Sequence, residues 1–140
     1  MTGDARELIA VPRPLKSAEF QILFQGKSAV ADWTDCLASA HNAMVDAWDA
    51  LTASPDEESA RQYQLRGDEA YRDHQGKRLP QWEYKFSDGG RILYLLDAEP
   101  VRNAKGRQTY AGRVIVVEAS PGHPKHTERI KGPRKSPGRR

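Results

Sequence analysis

Gln81-Trp82-Glu83-Tyr84-Lys85-Phe86-Ser87-Asp88-Gly89-Gly90-Arg91-Ile92-Leu93-Tyr94-Leu95-Leu96 is the stretch that decides the fold. Trp82, Tyr84 and Phe86 alternate with Glu83 and Lys85, which is the period of a strand with one buried and one wet face. Ser87 to Gly90 is turn chemistry, because Asp and Gly accept the positive φ of tight hairpins. Arg91 to Leu96 reads as a second strand, apolar enough to be covered on both faces. A hairpin over 81–96 is the expectation.

Working outward, Val114-Ile115-Val116-Val117-Glu118-Ala119 is rich in β-branched residues and predicts a last, central strand. The polar run from Asp97 to Arg113 between them reads as an extended hairpin loop. Toward the N-terminus, Glu19 to Phe24 predicts a first strand, bounded by Gly26. Between these strands Val30, Trp33, Leu37, Ala40, Met44, Trp48 and Leu51 step by three or four, while Asp32, Asp35, Asp46 and Asp49 face elsewhere. That pattern predicts an amphipathic helix, or two with a kink near Ser39, ending before Pro55, with Ser28 as a candidate cap. Residues 56–80 are polar, anchored by Leu65 and punctuated by Gly67, Gly76 and Pro80. The elements predict an α+β chain, a helical segment on a small antiparallel sheet in a single domain over 18–128. Residues 1–17 are expected to be loosely ordered, and 129–140 to form a disordered basic tail.

Charge is divided along the chain. The sequence has 140 residues and a formal net charge of +3. Seven acids and no Lys or Arg lie between Ser28 and Ala60, whereas Arg61 to Arg140 carries 18 basic residues against nine acids. The second half is able to attract a polyanion, or simply to stay solvated. Mean hydropathy is −0.77 and no stretch is apolar enough to cross a membrane, so cytoplasm is the expected compartment. The single Cys36 allows no internal disulfide and no cysteine-based zinc cage. His123 and His126 are two zinc-type ligands without a third, so no metal and no cofactor is expected.

Four local patterns go further. Leu51-Thr52-Ala53-Ser54-Pro55 closes the helical segment. Leu65-Arg66-Gly67 follows about a dozen residues later. Trp82-Glu83-Tyr84-Lys85 opens one strand, and Gly90-Arg91-Ile92-Leu93-Tyr94 opens the next. In this order, and with Gly122-His123-Pro124-Lys125-His126-Thr127-Glu128 at the end, the chain resembles the RelE/ParE toxin superfamily over roughly residues 19 to 124. Two features depart from the family pattern. A Pro/Gly-rich basic tail stands in place of a final helix, and Glu83 stands where RelE carries a second basic residue.

The resemblance implies a toxin of a type II toxin–antitoxin pair, held inactive by a cognate antitoxin. Members resembling RelE cut messenger RNA on the ribosome without a metal, with the ribose 2′-OH attacking the adjacent phosphate. Such chemistry needs a proton acceptor, a proton donor and cations around the phosphorane. Arg91 matches the family's strand arginine and would face the phosphate; its structural alternative is an ion pair with Glu83 across the hairpin. Histidine as a residue type titrates near neutrality, so His123 would move protons, or else hydrogen-bond locally as a loop histidine. Arg66, Lys85 and Lys125 would hold flanking phosphates, with His126 and Glu128 extending the set. Tyr94 would stack on a base, or belong to the core. A ParE-like toxin that binds DNA gyrase, and a non-catalytic RNA-binding protein using the basic half, are the alternatives.

Overall fold

The structure, a computed structural model, describes residues 7–11 and 13–122. The chain forms β1 (Phe20–Phe24), α1 (Gly26–Ser39), α2 (His41–Ala53), β2 (Gln62–Gln64), a 3₁₀ turn at Gly67–Glu69, β3 (Tyr71–His74), β4 (Lys77–Lys85), β5 (Arg91–Asp97), β6 (Val101–Arg102), β7 (Gln108–Tyr110) and β8 (Gly112–Ser120). Six strands form one sheet in the order β1-β8-β5-β4-β2, with β3 pairing the first half of β4. The remaining two, β6 and β7, make a separate small hairpin within the segment read as a loop.

The sheet is mixed, which corrects the expected antiparallel one. β1 runs parallel to β8, with Ile22 opposite Val114, while every other pairing is antiparallel. The correction has a simple cause. β8 sits between β1 and β5, so the strand opening the fold pairs with the one closing it rather than with its neighbour in sequence. Local patterning reports hairpins, and long-range parallel pairing leaves no such signal.

The hairpin itself is present. β4 and β5 pair from Gln81–Leu95 to Lys85–Arg91. Its turn works differently from the expectation. Neither Asp88, Gly89 nor Gly90 has a positive φ. Gly90 is needed for space instead: a Cβ there would lie 2.5 Å from the Phe86 ring and 2.5 Å from Ser87 Oγ. Positive φ occurs at the β3–β4 turn, where Gln75 (φ 50°) and Gly76 (φ 84°) join the His74–Lys77 pair.

The strand alternation sorts residues as read. Trp82 and Phe86 are buried under the helices with Tyr84 packed beside them, joined by Ile92, Tyr94 and Leu96 from β5 and by Val114 and Val116 from β8. The helix stripe supplies Trp33, Met44 and Leu51 to this core. One position differs: Val30 is 45% exposed, and Ala29 and Cys36 take the buried places around Trp33. The kink is real. Ala40 breaks the helix at φ −150°, ψ 61°, so α1 and α2 are separate. Ser28 lies inside the first turn, and no side chain caps α1, because the helix already begins at Gly26.

Residues 56–80 hold two strands that the sequence concealed. β2 and β3 are three and four residues long, polar, and pair in succession along one edge of β4. Only the pairing partner makes them strands. Of the N-terminal segment, residues 7–11 and 13–16 have no regular secondary structure. The basic tail at 129–140 lies outside the described residues.

Candidate functional site

The helices cover one face of the sheet and leave the other open. On that open face β4 presents Gln81, Glu83 and Lys85, and β5 presents Arg91 and Leu93, because alternate residues point oppositely. Beneath its other end a small apolar cluster of Leu79, Leu95 and Ile115 is buried. β5 is thus covered on both faces where it passes Leu95, as expected.

Arg91 is the best-held cation on the face. Its Nε lies 3.1 Å from Glu83 Oε2, and Nη1 donates to the carbonyls of Asp88 (3.0 Å), Gly90 (3.1 Å) and, at 3.4 Å, Ser87. Glu83 Oε2 also accepts a 2.8 Å hydrogen bond from the Tyr63 hydroxyl. Burial, and then the bond to Glu83, push the Tyr63 phenol above its ordinary value, so it remains a donor. The ion pair with Glu83 foreseen as the structural alternative is therefore formed.

Lys85 lies directly opposite Arg91 in the register. Its backbone is clasped to β2: Lys85 N–H donates to Arg61 O at 2.7 Å, and Arg61 Nη1 donates back to Lys85 O at 2.9 Å. Lys85, Arg91 and Arg61 thus gather at the β4–β5 turn end. Arg66 is exposed and extended (φ −118°, ψ 166°) just before the 3₁₀ turn, and no ion pair ties it to that cluster among the described residues. His123, Lys125 and His126 lie outside the described residues.

Tyr94 is not available to a base. It is fully buried on the helix side, stacks on Trp82 at 6.3 Å between ring centroids, and donates its hydroxyl to Pro55 O at 2.7 Å. Burial drives its phenol far up, which keeps that donor in place. Its position on an apolar strand decides the matter for the core.

No family model, curated protein or solved structure matches the chain. Function must be argued from the site.

One depression adjoins the Arg91 cluster at Glu83, and a second lies at the opposite end of the sheet. A groove of about 490 Å³ crosses the sheet from Glu118 on β8, past Leu93, to Gln81 and Glu83 on β4 and the 3₁₀ turn. Four carboxylates line it (Asp68, Glu69, Glu83 and Glu118) against one guanidinium, Arg72. A second cleft of about 450 Å³ lies toward β1, where His74, Lys77 and Arg113 surround Asp97. Lys77 bridges Asp97 (3.1 Å) and Glu99 (2.6 Å), and these two carboxylates raise its pKa, Glu99 more strongly. Sequence reasoning missed Tyr63, Arg61 and the acidic groove. Tyr63 and Glu83 are 20 residues apart, on strands of which one was unreadable, so only the register reveals their contact. Among the described residues no three His, Cys, Asp or Glu side chains gather as metal ligands, and no helix is long and apolar enough to cross a membrane.

Proposed function

We propose that the chain is the toxin of a type II toxin–antitoxin pair, a RelE-like, metal-independent endoribonuclease that cuts messenger RNA on the ribosome. It acts in the cytoplasm and is silenced by a cognate antitoxin. The observation that carries the reading is the meeting of two segments at the turn end of the open face. Arg91 pairs with Ser120, and Gly122 packs so closely on Gly89 that a Cβ would lie 3.0 Å from the Gly89 carbonyl carbon. Gly122, the last described residue, therefore lies at the Arg91 turn, and His123 is proposed to act from the position after it. Order of elements supports the reading too: strand, helix pair, Leu65-Arg66-Gly67, hairpin and closing strand follow as the resemblance implies.

In this reading Arg91 supplies charge to the scissile phosphate and His123 moves a proton. The 2′-OH loses its proton as its oxygen bonds to phosphorus, and the departing 5′ oxygen gains one. Lys85, Arg66 and Lys125 hold flanking phosphates. His126 extends the proton-transfer side.

A ParE-like toxin acting on DNA gyrase is the second reading, and a specific observation favours it. Arg91 is already tied to Glu83 and three carbonyls, and the groove beside it is acidic. Such a surface suits a protein partner as well as a phosphate. A purified translation system run beside a gyrase DNA-cleavage assay separates the two. Arrest with cut messenger supports the ribonuclease; intact messenger with gyrase-dependent DNA breaks replaces it by the gyrase reading. An active chain in neither assay would leave only RNA binding.

A further inference from the structure

The acidic groove on the open face is more than a cluster of carboxylates. Gln81, on its floor, is only 5% exposed. Its Nε2 donates to Glu69 O at 2.9 Å, but its Oε1 meets no donor among the described residues. A buried amide oxygen without a donor costs roughly 1–3 kcal/mol, which a donor arriving at the groove would relieve. Asp68, Glu69, Glu83 and Glu118 line the same groove as Gln81, with Leu65 and Leu93. Fixed acceptors in an apolar-walled slot describe the complement of a guanidinium, which carries five donors in a plane.

The chain carries its own source of such groups. Residues 123–140 hold seven Lys and Arg (Lys125, Arg129, Lys131, Arg134, Lys135, Arg139, Arg140) and one acid, Glu128. They follow Gly122, and Glu118 of the groove lies four residues before it on β8. Arg129 is seven residues beyond Gly122, a reach of up to about 25 Å for an extended chain. The groove crosses from β8 over β5 to β4, about 10 Å at the usual strand spacing. Every part of it is within range.

We infer that the C-terminal basic segment of this chain docks in cis in the groove lined by Asp68, Glu69, Gln81 and Glu118, with an arginine on the Gln81 oxygen. The docking stands whether or not the chain is a toxin. If it is one, the same cations are withheld from RNA phosphates while the groove is filled, and RNA competes for them.

Carbodiimide cross-linking of the full chain, mapped by mass spectrometry, tests this directly. Lysines 125, 131 and 135 should couple within one molecule to Glu118, Asp68 or Glu69. The seven acids between Ser28 and Ala60 are the internal control, more than twice as numerous as the three targets but outside the groove. A second measurement uses Glu118→Gln combined with Asp68→Asn. Tail amide NMR signals should move to the positions of the free 123–140 peptide in that variant. Coupling spread evenly over both acid sets, coupling only between molecules, or tail signals already at free-peptide positions in the wild-type chain would each overturn the inference.

Discussion

The two faces of one sheet are built from the same strands and do opposite work. Under the helices, Trp82, Ile92, Tyr94, Val114 and Val116 form an apolar layer in which the Tyr94 hydroxyl finds a partner and the Trp82 indole N–H, among the described residues, does not. On the open face the intervening positions are Glu83, Lys85, Arg91 and Glu118, paired in part and wet. Hydrophobic burial gives the first face its free energy, which involves no titrating group and no charge pair for salt to screen. Coulombic pairing on the second is worth little to stability, because partly exposed charges are screened. What it gains is a fixed arrangement of donors and acceptors. Stability and chemistry are thereby separated by a strand's two-residue period.

The comparison is broken most easily at the covered face. Leu51→Ala, at a fully buried position against the sheet, should cost about 2–5 kcal/mol in chemical denaturation. A loss under about 1 kcal/mol would mean that the helix pair is not packed as described. Gly90→Ala comes next, since its Cβ would meet the Phe86 ring and Ser87 Oγ at 2.5 Å. Overpacking of that kind costs roughly 1–3 kcal/mol, and the melting temperature should fall accordingly. A neutral Gly90→Ala would show that the turn has room.

On the open face the effects should be smaller. Glu83→Gln removes an ion pair whose side chains are 22% and 33% exposed, worth about 1 kcal/mol or less. The sharper readout is Tyr63: losing the Glu83 charge should lower its phenol pKa, followed by ultraviolet titration, while burial still holds it above the ordinary value. An unchanged titration would mean that Tyr63 does not donate to Glu83. Smallest is a pH effect at the fringe. The Arg13 side chain and the Lys16 backbone N–H hold the Glu19 pKa below its ordinary value. A depressed folded pKa contributes stability that is present above the unfolded value and lost as pH falls through the folded one. Glu19→Gln should therefore flatten the acid side of the stability profile slightly and leave neutral pH little changed.

Sequence reading reached the covered face better than the open one, for a physical reason. Trp82, Tyr84 and Phe86 alternate visibly, and the helix stripe from Trp33 to Leu51 has the helical period, because burial selects apolar residues at regular spacing. Val30 shows the limit: its helical spacing from Trp33 predicts burial, yet it stays at the surface and Ala29 takes the core position. β2 and β3 carry no such regularity, and their identity as strands comes only from the edge of β4. The same holds for the parallel β1–β8 pair. At the site, the Arg91–Glu83 contact was legible because both lie on one hairpin with a known register. Tyr63, Arg61 and the groove acids became neighbours through strands that local patterning does not report.

The central claim is that the turn end of the open face, where β8 closes beside Arg91, is the place where RNA is cut. Messenger integrity in a purified translation system tests it, with wild-type chain and the His123→Ala variant compared at equal concentration. The account predicts cut messenger with the wild type and cleavage slower by roughly 10²-fold with the variant, the scale of a lost acid–base group, at unchanged melting temperature. Intact messenger with the wild-type chain, or equal cutting by the two proteins, would contradict it.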